Sequence, residues 1–159
     1  MAFDCFLELK GVTGESQDKK HKDKIDVLSW SWGATQSGTT HMGSGGGGGR
    51  SHFQDISLTK FVDRASPTLL QYVSKGKHIT NGTLYVRKAG GESPLEYIKI
   101  ELTDIIVASY SVGGVGSEDQ ISEQISLNFR KYKFVYTEQS KTGGKGASPE
   151  FEFDIAANA

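Results

Sequence analysis

The chain has 159 residues, 18 Lys and Arg against 19 Asp and Glu, a formal charge of −1 and a single cysteine, Cys5. The charge balance argues against a nucleic-acid binder, which carries a basic excess, and a lone cysteine excludes an intramolecular disulfide framework. The length suits one domain over residues 1–159, with a core large enough to stand without staples.

Phe3 to Leu9 alternates and predicts a β-strand with Phe3, Cys5, Leu7 and Leu9 on one face. Cys5 is then a buried, inert thiol. Asp4 and Glu8 interrupt the apolar run that a signal peptide needs, and no stretch is long and apolar enough to cross a membrane as a helix. The expectation is synthesis in the cytoplasm and, if the protein leaves, a route that reads no N-terminal signal. Gly11 to Lys24 reads as a polar loop. Its basic run Lys19-Lys20-His21-Lys22-Asp23-Lys24 reads as solvated charge rather than a phosphate site.

Asp26 to Trp32 predicts the second strand. Leu28, Trp30 and Trp32 share one face, expected in the core, and Ser29 and Ser31 share the other with Ile25 and Val27. Indoles on one side and small hydroxyls on the other separate a packed interior from a smooth polar surface, suited to something the protein must not grip tightly. Gly33 to Ser51 reads as loop, because its glycines bring no side chains to a core. Phe53 to Thr59 alternates weakly and reads as a strand.

Ser66-Pro67 predicts a helix start, with a hydroxyl for the N-cap and proline in the first turn. Leu69, Leu70 and Val73 supply its apolar face and Gly76 its stop. Strands are expected at Thr83–Lys88 and Leu95–Thr103, joined by a hairpin over Ala89–Pro94, and again at Ile105–Ser111. Ile121 to Tyr136 alternates most regularly, with Ser122, Gln124, Ser126 and Asn128 against Ile125, Leu127 and Phe129. The phase then slips to Tyr132, Phe134 and Tyr136, which a bulge or bend near Arg130-Lys131 explains. Phe151, Phe153 and Ile155 mark a last strand. Many strands and one helix predict a mainly β fold: a compact β-barrel or sandwich of two sheets with one external α-helix.

Chemistry is sparse. A phosphate loop ending at Gly49-Arg50-Ser51 needs glycine where Ser44 stands, and a strand follows instead of a helix. His21, His41, His52 and His78 lack metal-site spacing, so no metal and no cofactor are expected. There is no Gly-x-Ser-x-Gly elbow. Asp119 and Glu123 come nearest to an acid–base pair and read as solvated or ion-paired surface groups. The sequence does not read as an enzyme.

A set of short motifs does carry a signal. In chain order they are Gly14-Glu15-Ser16, Asp18, His21, Ile25 to Gly33, Gln36-Ser37-Gly38, Ser66-Pro67, Gly76-Lys77-His78, Arg87-Lys88-Ala89-Gly90-Gly91, Glu96-Tyr97 and Ser126-Leu127-Asn128-Phe129. The ordered set resembles the Hcp family, the ring-forming tube proteins of bacterial type VI secretion. The tail from Lys141 to Ala159 matches least.

The resemblance implies a homo-hexamer with sheet on the inner wall and helix outside, its rings stacked into a tube. It implies a VgrG-type spike, a contractile sheath and secreted effector proteins as partners, with no nucleic acid and no membrane insertion. It turns Ser29, Ser31 and Ser126 toward the lumen and the effector. It puts His41, Met42, Gly45, Gly47, Arg50, Gly90 and Gly91 at contacts between subunits and rings. The alternative is a small β-barrel binding module for nucleic acid or glycan, with Trp30 and Trp32 as stacking groups.

Overall fold

The computed structural model describes residues 3–38, 48–89, 94–140 and 145–159. The first strand, β1 (Phe3–Leu9), lies where its alternation puts it, but both of its faces are covered. Cys5, Leu7 and Leu9 enter the core, and Phe6 is buried on the opposite side, where His21 stacks on its ring at 4.7 Å. His21 belongs to residues 13–24, which contain no strand and fold back over the barrel as a strap. Lys19, Lys20 and Lys22 are exposed as expected, whereas His21 is buried.

The expected strand over Asp26–Trp32 is two strands, β2 (Ile25–Val27) and β3 (Ser29–Ser31). They part at a bend on Leu28, whose N–H reaches the Thr59 carbonyl at 2.8 Å. The bend changes the phase of burial. Ile25 and Val27 point inward before it, Trp30 packs on the core after it, and Leu28 turns outward at 46% exposure. Leu28 therefore does not share the core face expected for it.

The glycine-rich region contains two further strands where a loop was expected. β4 (Ala34–Gly38) and β5 (Gly48–Phe53) pair as a separate two-stranded sheet. The expected contacts at His41, Met42, Gly45, Gly47, Gly90 and Gly91 lie outside the described residues. β6 (Ile56–Phe61) follows, with Ile56, Leu58 and Lys60 buried.

The helix, α1 (Ser66–Lys75), ends at Gly76, whose φ of 60° is the left-handed geometry that a glycine stop provides. Its start differs from expectation. Ala65 holds the N-cap position without a side-chain cap, and the Ser66 hydroxyl is engaged with Glu123 at 2.6 Å. That tie sets the helix's rotation, so Ser66, Leu69 and Tyr72 form the buried face and Leu70 is exposed.

β7 (His78–Lys88), β8 (Glu96–Gly113), β9 (Ser122–Tyr136) and β10 (Glu150–Asp154) complete the chain. The large sheet runs β2-β1-β7-β8-β9-β6-β3, with β10 added to β9. Its end strands β2 and β3 are consecutive in sequence, so the Leu28 bend rolls the sheet into a nearly closed barrel. The barrel form of the expected mainly β architecture is the one present, with α1 packed against β8.

β8 continues through Asp104, where two strands were expected. Asp104 has φ 52°, and there the inward phase changes on both strands: Leu102 and Ile105 on β8, Tyr132 and Phe129 opposite them on β9. The slip expected near Arg130-Lys131 is thus a bend shared by two strands. Register shifts elsewhere, between Val107 and Ser109. Trp30 and Trp32 are half-buried rather than enclosed. Trp32 meets Tyr132 edge-on at 4.8 Å and donates Nε1–H to the Gln54 carbonyl at 2.9 Å.

Candidate functional site

The outward face of β3, β6, β9 and β8 carries short polar side chains in register. Ser31 stands opposite Ser57, Ser57 opposite Ser126, and Ser126 opposite Ser109. The neighbouring row is Ser29, Thr59, Gln124 and Ser111. Strands lie about 4.7–4.9 Å apart, so the two rows make a regular grid of hydroxyls and one amide. The grid lines a depression of about 320 Å³, and none of its lining side chains is ionisable. Ser109 Oγ and Ser126 Oγ hydrogen-bond at 2.5 Å.

Alternation explains the composition. Each strand has its inward positions filled by Ile56, Leu58, Ile125 and Leu127, so its outward positions are free to be small and polar. Ser29, Ser31 and Ser126, expected to share a wall, do lie in one depression. Gln124 joins them, while Ser122 and Asn128 fall outside it. Ser57, Thr59, Ser109 and Ser111 were missed, although Ser57 and Thr59 alternate with Ile56, Leu58 and Lys60 in the sequence. Arg50, on β5, is exposed and outside the depression.

Behind this face lies a charged cluster that the sequence reading missed. Lys60 is fully buried and Glu123 is 1% exposed. They face each other in register across β6 and β9, and Lys60 Nζ donates to Glu123 Oε1. Lys60 also donates to Asp63 Oδ1 and to the Phe61 carbonyl, each at 2.9 Å. Glu123 accepts from Ser66 Oγ and, through Oε2, from the Tyr110 hydroxyl. Burial pushes the Glu123 carboxyl up, but the donors Lys60, Ser66 and Tyr110 outweigh it and hold the group below the usual range. Burial and Glu123 together push the Tyr110 phenol up to about 12. Glu123 is therefore an enclosed structural anion, not the surface group expected, and Asp119 is exposed apart from it.

The strap has its own polar anchors. Lys24, a donor only, reaches His21 Nδ1 at 3.0 Å, which leaves Nε2–H to donate to Glu96. His21 is stacked between Phe6 and Tyr85, and Lys24 sits 4.3 Å over the Tyr85 ring. Among the described residues no cluster of three or more His, Cys, Asp or Glu is arranged to hold a metal ion.

At this depression the sheet offers neutral hydroxyls outward and keeps the Lys60–Glu123 charges inward, while Lys99, Glu101, Lys131 and Lys133 carry charge elsewhere on the barrel. A neutral wall of this kind suits a scaffold or carrier protein. Comparison with known proteins gives the family. Residues 6–136 match the model described as "Type VI secretion system effector, Hcp". Protein hcp1 of Pseudomonas aeruginosa is 46% identical, with 99% of this chain and 98% of that protein aligned. Among solved structures, Hcp1 from Salmonella typhimurium is 38% identical with a TM-score of 0.81, covering 100% of this chain and 99% of that one. A structure described as a type six secretion system protein has a TM-score of 0.92 at 28% identity, covering 99% of each chain. The chain belongs to the Hcp family of type VI secretion system effector and tube proteins, whose members are secreted.

Proposed function

We propose that residues 1–159 act as a single-domain ring subunit: six copies close into a hexamer, rings stack into a tube, and the hydroxyl grid faces the lumen and carries effectors. The observation that carries this reading is the neutral grid spanning β3, β6, β9 and β8. A wall of short uncharged groups is wetted without binding any one cargo through charge. Two strand edges support ring closure. β8 beyond Ile106 pairs only with β9, and β3 pairs only with β6, among the described residues. Those edges are different surfaces of one chain, as a heterologous, ring-closing contact requires.

In this reading the β4–β5 arm, with exposed Arg50, reaches a neighbouring ring. The VgrG-type spike and the contractile sheath are the tube's other partners, and the subunit leaves the cytoplasm without a signal peptide. Its role is non-enzymatic.

Mass measurement in dilute buffer tests the assembly. The expected result is a species near six times the 17.3 kDa chain, with larger stacks at high concentration. A 17.3 kDa monomer at every concentration overturns it.

A further inference from the structure

The cross-strand pair next to the grid row Thr59–Gln124 is Lys60–Glu123. Thr59 and Gln124 point to the depression, and Lys60 and Glu123 point to the barrel interior. A slip of one residue turns over the strand that moves and leaves the other as it was. If β6 slips on β9, Lys60 enters the depression, Ser57 and Thr59 turn into the apolar core, and Glu123 stays buried without its partner. An ion pair in a core gives little net stability compared with apolar groups of the same shape. What it supplies is a penalty for every register but one, because a buried charge without its partner is costly.

Its partners extend the effect. Tyr110 brings β8 to Glu123, while Asp63 and Ser66 bring the start of α1. Asp63 Oδ1 also accepts the Ala65 N–H at 2.9 Å. The four walls of the cluster thus meet at one carboxylate and one ammonium.

We propose that Lys60 and Glu123 are positioning residues for the hydroxyl grid: the buried pair fixes the β6–β9 register that presents a neutral face, and ties that face to the helix. This rests on the carrier reading for its functional consequence. The register claim itself is independent of it.

The test uses full-length protein with cysteines at Ser57→Cys and Ser126→Cys, which are opposite in the native register, or at Ser57→Cys and Gln124→Cys, which are displaced by two residues. Each pair is oxidised in the native background and in Lys60→Met/Glu123→Leu. In the native background the first pair cross-links and the second does not. In the double variant the ratio of the two yields is expected to fall about tenfold, the scale of a lost hydrogen bond to a charge, while the thermal midpoint is unchanged or higher. A folded double variant with the native ratio overturns the proposal.

If that variant does not fold, Glu123→Gln decides. It keeps one acceptor oxygen for Ser66 and Lys60, presents an amide N–H that the Tyr110 hydroxyl can accept, and leaves Asp63 beside Lys60. A shifted ratio supports the pair's role, and a native ratio overturns it. Retention of a co-expressed effector protein is read in parallel. If native protein retains none, the carrier reading fails while the cross-link ratio still judges the register.

Discussion

Arg87 of β7 donates through Nη1 to Asp18 Oδ1 at 3.0 Å, clamping the strap to the barrel wall across 69 residues of sequence. Nη2 reaches Oδ2 of the same carboxylate, so the contact is a fork, and Asp4 sits 3.4 Å from the same guanidinium. The Arg87 hydrogen bonds hold the Asp18 carboxyl down to about 2, against its ordinary 3.8.

That depression makes the clamp acid-sensitive. A carboxyl whose folded value lies below its unfolded one stabilises the fold fully above the unfolded value and loses that effect as pH falls through the folded one. The window here runs from 3.8 down to about 2. Asp18→Asn is expected to lower stability at pH 7 by roughly 1–2 kcal/mol, between a surface pair and a buried charged hydrogen bond. The difference from native protein should shrink as pH falls from 3.8 to about 2 and vanish below that. Thermal unfolding at stepped pH checks this, and a gap at pH 2 as large as at pH 7 refutes it.

Gly14 is the strap's tightest point. A Cβ there would lie 2.4 Å from the Lys24 carbonyl oxygen and 2.8 Å from the Ile25 Cα, both backbone atoms that cannot swing aside. Gly14→Ala should therefore lift the strap from β1 while the barrel stays folded. Limited trypsin digestion is the readout: faster cleavage at Lys19 to Lys24 in the variant, with far-ultraviolet circular dichroism unchanged.

Trp32 is half-buried but fixed at its edge and at its nitrogen, so it lies below the usual loss of 3–5 kcal/mol for an enclosed aromatic. Trp32→Ala is expected to lower stability by about 2–3 kcal/mol. Urea unfolding gives the value, and a loss below about 1 kcal/mol would mean that the Tyr132 and Phe129 contacts contribute little.

Ser31 is exposed in the grid, opposite Ser57. Ser31→Gln enlarges a side chain that points away from the core. Fold and ring mass should stay native while effector retention falls roughly 3- to 10-fold, the scale of one hydrogen bond. Pull-down with rings of matched mass measures it. Equal retention removes Ser31 from the contact, and loss of the ring places it at a subunit boundary.

Alternation made most strands and the hydroxyl face legible, because inward and outward residues differ in kind along β6 and β9. The break at Leu28 was not legible. It depends on β2 and β3 finding different partners, which is a property of sheet closure and not of local pattern. Ser66 was misassigned for a related reason: its hydroxyl has two possible uses, and the one taken involves Glu123, distant in sequence. Glu123 looks like a surface charge and Lys60 draws no reading from the sequence, because a buried ion pair leaves no periodic trace. Only the apolar neighbours Leu58 and Ile125, two residues away on each strand, put them on the inward face.

Cys5 has a practical consequence. Its side chain is 4% exposed, and burial pushes the thiol up to about 12. In the folded chain it offers almost no thiolate to an alkylating reagent or an oxidant. Labelling must wait for β1 to leave the barrel, between β2 and β7. The native sequence thus contains its own clock: the rate at which Cys5 takes up a thiol label counts departures of β1 from its place between β2 and β7, with no engineered probe.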